Sequence, residues 1–246
     1  MNPKVLLISF NYSKCYYSDH LYFIAALVWD NIYVRHLVIE WYSQNMWELI
    51  QESIKNEKSN VIYFLCDNFD IISSDLAHYY GQKIKENFWD RVNIWIQSHY
   101  DKYFQRNLWI GQYYLWGAQG FSSAVKSFKD TCEMLEWEYR VVDIWVDYKK
   151  YILDFDSLQY FTLESESFCK YTCSFCYKSD NTPVRNIDFV QVDEYLKVAK
   201  RLGFSNVWFL DPTINENKNL KWLMFLLQSH KNFKFIFEVR PESFSY

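Results

Sequence analysis

The chain has 246 residues, half of them apolar, with 21% aromatics, five glycines, six cysteines and a net charge of −4. That length holds one large domain or two modest ones, the acidic balance without a clustered Lys/Arg face excludes nucleic-acid binding by electrostatics, and no apolar run reaches the roughly 18 residues that cross a bilayer. The N-terminus enters a strand-like run without the layout of a signal peptide, and six scattered cysteines do not form a secreted disulfide framework. A cytosolic chain with reduced thiols is expected. The aromatic share reads as compositional bias and carries little functional weight.

In chain order, residues 4–10 form a short apolar run suited to a buried strand, and residues 20–30 read as a buried helix. Strand 33–41, helix 45–56, strand 60–65, helix 73–88 and strand 92–96 follow. Residues 108–116 fit a strand or an aromatic loop, then come helix 122–137 and strand 139–146. This alternation predicts a mostly parallel sheet with helices on both faces. Residues 147–156 read as a linker. The second series is strand 158–163, a cysteine loop, a helix from Asp188, strand 206–210, a helix marked by Leu220, Leu223, Met224 and Leu227, and strand 233–239. Asp188 and Gln191 have the spacing of a capping box. Val192, Tyr195, Leu196, Ala199 and Leu202 follow at helical spacing, and Gly203 is a natural stop.

The loop after strand 158–163 holds Cys169, Cys173 and Cys176 in a C-x3-C-x2-C pattern. Chance would give such a triplet in about 0.004 of chains of this composition. Three thiolates can wrap three irons of a [4Fe–4S] cube and leave the fourth iron open, which makes a reaction site. In parallel α/β barrels catalytic groups sit at the C-terminal ends of strands, which is where this loop falls. Zinc, a four-ligand cluster completed by His99 or Cys132, and plain thiols remain as alternatives. Cys15, Cys66 and Cys132 read as core or surface residues, and Lys170 and Tyr171 as solvent or packing residues.

With Phe175 at the aromatic position, the motif resembles that of the radical S-adenosylmethionine (SAM) superfamily, C-x3-C-x-aromatic-C. The resemblance implies that Cys169, Cys173 and Cys176 bind a [4Fe–4S] cluster whose open iron takes SAM. It further implies reductive cleavage of SAM to a 5′-deoxyadenosyl radical, and hence oxygen sensitivity. Val207–Asn215 and Glu238–Glu242 are similar to segments after the second and third barrel strands of cobalamin-domain members. Phe175, Tyr177, Asp211, Thr213, Glu238 and Arg240 are therefore the residues expected to seat SAM. Bland roles stand beside these: Tyr177 as packing, Asp211 capping a turn before Pro212, and Arg240 pairing with Glu238 or Glu242.

The resemblance places a cobalamin-binding-like, Rossmann-type doubly wound domain at 1–147, a linker at 148–157, and the first half of a radical SAM partial (β/α) barrel at 158–246. The base-off cobalamin motif Asp-x-His-x-x-Gly is missing from the first loop, which holds Asp19 and His20. Its look-alike Asp75–Gly81 has one residue too many and lies in a predicted helix, so cobalamin is a possible cofactor without a histidine on cobalt. His20, at the head of an apolar helix, reads as a cap or packing residue. At roughly 30 residues per strand–helix unit, 158–246 suffices for three strands, so the chain is expected to be C-terminally short.

Implied partners are a small-molecule or peptide substrate, a reductant such as flavodoxin or ferredoxin, and a chain that completes the barrel. Methylation and peptide or natural-product modification are all compatible. The rival expectation is a truncated, non-catalytic iron–sulfur or partner-binding subunit.

Overall fold

The computed structural model describes residues 4–11, 14–29, 31–66, 71–88, 92–97, 146–166, 169–171, 173 and 187–241. The readings over 108–116 and 122–137, and that over 139–146 except its last residue, lie outside them. The protein is α/β with two parallel sheets, and its contacts divide it into two compact units. Among the described residues no helix is long and apolar enough to cross a membrane.

The first unit is built on β1 (Lys4–Asn11), β3 (Tyr33–Glu40), β4 (Val61–Leu65), β5 (Asn93–Gln97) and β6 (Ile152–Leu153), in the order β5-β4-β1-β3-β6. Its strands read as continuous apolar runs because both faces are covered. Leu6, Ile8 and Phe10 of β1 form one core with Leu37 and Ile39 of β3, Ile62 and Phe64 of β4, and residues of α2 (Met46–Glu57) and α3 (Ile71–Phe88). The intervening residues point to the opposite face, where His36 of β3 meets His20 of α1 (Ser18–Trp29) at 4.9 Å between ring centroids.

The stretch read as a linker differs from expectation. It contains two 3₁₀ turns and the strand β6, which pairs with β3 through His36↔Ile152 and Leu37↔Leu153. A two-residue strand has no periodicity of its own, so only its partner reveals it.

The second unit is a four-stranded parallel sheet. It comprises β7 (Tyr160–Leu163), α4 (Phe189–Leu202), β8 (Asn206–Phe209), α5 (Leu220–Ser229) and β9 (Lys234–Phe237). Its first strand, β2 (Cys15–Tyr17), comes from far earlier in the chain and pairs with β7 as Cys15↔Tyr160, Tyr16↔Phe161 and Tyr17↔Thr162. Phe161 turns toward α4, its ring 6.5 Å from Tyr195 and 5.5 Å from Phe204. Because β7, β8 and β9 run in one direction, the loops that follow them emerge at one rim, and that rim carries the candidate site.

Candidate functional site

Cys169 and Cys173 lie on the loop that leaves β7; both are partly exposed and neither is in a disulfide. Cys176, Phe175 and Tyr177 lie outside the described residues. Among the described residues no three metal-ligating side chains converge on one point, the third cysteine not being among them. Two free thiols at the C-terminal rim of a parallel sheet have the donor chemistry that an iron–sulfur cluster requires. Cys15 and Cys66 are buried and in no disulfide.

The base of the loop is closed where the Ile187 amide donates to the Ser165 carbonyl at 3.0 Å. Ile187 immediately precedes the α4 cap, at which the Asp188 carboxylate accepts from the Gln191 amide at 2.8 Å. One turn therefore ends the loop and starts the helix.

Asp211, two residues past β8, is buried at 2% exposure. Its Oδ2 accepts from the Ser165 amide at 2.9 Å, and its Oδ1 accepts from the Ser165 hydroxyl at 2.5 Å and the Glu166 amide at 2.8 Å. Burial pushes its pKa up from 3.8 to about 6, against the hydrogen bonds from Ser165 and Glu166 that favour the ionised form. The residue read as a SAM contact or a cap before Pro212 is thus engaged across the rim, holding the first residues of the cysteine loop.

A second set of contacts lies between the first two cysteines. The Tyr171 hydroxyl donates to Glu216 Oε1 at 3.2 Å, and the Lys170 ammonium donates to Glu216 Oε2. That bond with Glu216 is the largest cause raising the Lys170 pKa. The Arg240 guanidinium carbon stands 3.9 Å from the Tyr171 ring centroid, a cation–π contact. Lys170 and Tyr171, expected to be solvent or packing residues, also tie the loop to the segments after β8 and β9.

Those two segments are also tied to each other. Asn215 donates its Nδ2 to the Arg240 carbonyl at 2.9 Å and accepts from the Arg240 amide at 3.2 Å. The Ile214 amide donates to the Glu238 carbonyl at 3.1 Å, and Asn217 Nδ2 reaches the Ser165 hydroxyl at 3.5 Å. Thr213 is buried at the start of the 3₁₀ turn Ile214–Glu216, and Glu238 is exposed. Ser165, Asn215, Glu216 and Asn217 are absent from the sequence-based set, because hydrogen bonds between residues 25 to 52 positions apart leave no local pattern.

No family profile matches the chain, and no curated protein does. Among solved structures the fold is similar to that of OxsB, described as a cobalamin-dependent S-adenosylmethionine radical enzyme, in its apo form. The TM-score is 0.56 at 14% identity, over 98% of this chain and 39% of that one. The chain therefore spans well under half of that enzyme's length.

Proposed function

We propose that the chain is the cluster-bearing part of a radical SAM enzyme, with Cys169, Cys173 and Cys176 holding a [4Fe–4S] group whose open iron takes SAM. One observation carries the reading: the C-x3-C-x2-C loop leaves the C-terminal end of β7, at the rim where β8 and β9 also end, and its two described cysteines are free and partly exposed. When bound, such a cluster supplies one electron for cleaving SAM to methionine and a 5′-deoxyadenosyl radical. The chain's own contribution is to hold the loop: Asp211 fixes its entry, and Glu216 and Arg240 fix its middle. Phe175, Tyr177, Thr213, Glu238 and Arg240 are the groups proposed to line the SAM site. A small-molecule or peptide substrate and a flavodoxin- or ferredoxin-type reductant complete the reading.

The first unit is proposed as a cobalamin-binding-like domain. His20 is buried edge-on against His36, and His78 is buried within α3. Neither of these two imidazoles is offered to solvent, so neither is placed to ligate the cobalt of a corrinoid held there.

Anaerobic reconstitution with iron and sulfide tests the reading. The chain should take up about four irons, and the EPR signal of the reduced protein should shift when SAM is added. Cys173→Ala should lose both properties; full iron content in that variant would overturn the assignment. The alternative, a non-catalytic iron–sulfur or partner-binding subunit, predicts iron uptake with no response to SAM.

A further inference from the structure

The cysteine loop is held at two separate points, and neither depends on a thiol. At its entry, three hydrogen bonds from Ser165 and Glu166 converge on the buried Asp211 carboxylate. At its middle, Lys170 and Tyr171 bind Glu216, and Arg240 covers the Tyr171 ring. Cys169 stands between the two anchor points, and Cys173 is two residues beyond the second. Ordering a backbone costs conformational entropy, and these contacts move that cost from metal binding to folding.

We infer that Asp211, Glu216 and Arg240 are positioning residues, which hold residues 165–166 and 170–171 in the metal-free chain and preset Cys169 and Cys173. The purpose of this ordering rests on the cluster reading; the ordering itself does not. The chemistry at Asp211 is selective, since three donors need both carboxylate oxygens. An asparagine there has one acceptor oxygen and would turn an amide N–H₂ toward a backbone N–H.

Alkylation of the metal-free, reduced chain by iodoacetamide, followed cysteine by cysteine by mass spectrometry, tests this. Buried Cys15 and Cys66 are internal controls for an intact fold. Asp211→Asn should speed alkylation of Cys169 on the order of fivefold with the controls unchanged, whereas Ser165→Ala, which keeps both backbone bonds to Asp211, should stay within about twofold of the parent. Tyr171→Leu, which removes both the ring under Arg240 and the hydroxyl on Glu216, should speed Cys173. Unchanged rates in both Asp211→Asn and Tyr171→Leu would overturn the inference. If Asp211→Asn also opens Cys15, Tyr171→Leu decides alone: a faster Cys173 supports the inference and an unchanged one overturns it. Iron uptake is scored separately. Thiols that respond as described in a chain that takes up no iron would overturn the cluster reading and leave the positioning role; unresponsive thiols in a chain that binds iron would do the reverse.

Discussion

His20 and His36 are two imidazoles enclosed in the first unit, with the Ser9 hydroxyl 2.9 Å from His36 Nε2. Loss of solvation drives the His20 pKa down from 6.5 to about 3; it also drives His36 well below its ordinary value, to which the neighbouring His20 adds. Above pH 6.5 both rings are neutral whether the chain is folded or not, and their contribution to stability is fully present. As pH falls from 6.5 toward 3 the unfolded chain binds protons that the folded one refuses, so stability is lost through that window. His20 alone accounts for a loss on the order of 3 kcal/mol at pH 4. Urea unfolding at pH 7 and pH 4 should show it, and His20→Phe should flatten the slope; an undiminished slope in that variant would place the acid sensitivity elsewhere. Sequence alone gives His20 a cap or packing role at the head of an apolar helix. It cannot give the partner, since His36 sits on a strand whose register only the sheet sets.

At the scale of elements, α4 shows what local signals can deliver. The Asp188 carboxylate accepts from the Gln191 amide, and Gly203 takes the left-handed conformation at φ 91°, its amide donating to the Ala199 and Lys200 carbonyls. Every one of those signals acts within a few residues, so capping and stop were legible in advance. Asp188→Ala should cost about 1 kcal/mol. Gly203→Ala should cost about the same through backbone strain, since nothing lies within 4 Å of the added Cβ. Urea midpoints measure both, and a neutral Gly203→Ala would refute the strain argument. Strands β2 and β6 are the opposite case. Three and two residues long, they have no period to read, and they are strands only because β7 and β3 lie beside them.

For the molecule as a whole, the α/β class and the position of the cysteine loop were legible because periodicity and cysteine spacing are local. The residues that hold the loop were not, because Asp211, Glu216 and Arg240 reach it across the rim from later strands. The same non-locality marks Tyr16, which is fully buried in the second unit with its ring 6.5 Å from Phe204. Tyr16→Ala should destabilise that unit by roughly 3–5 kcal/mol. Faster tryptic cleavage after Lys200 and Arg201 would report it, although the substitution lies near the start of the chain; unaltered cleavage would refute it. Thr162 donates its hydroxyl to the Tyr16 carbonyl across 146 positions of sequence. On a ribosome adding roughly 5–20 residues per second, β2 emerges about 7–30 seconds before β7 exists to receive it. Throughout that interval a short apolar strand is without its native neighbour. Its vulnerability to chaperones and proteases during synthesis is therefore set by translation speed, and synonymous codons between β2 and β7 should change the yield of folded protein without changing a single amino acid.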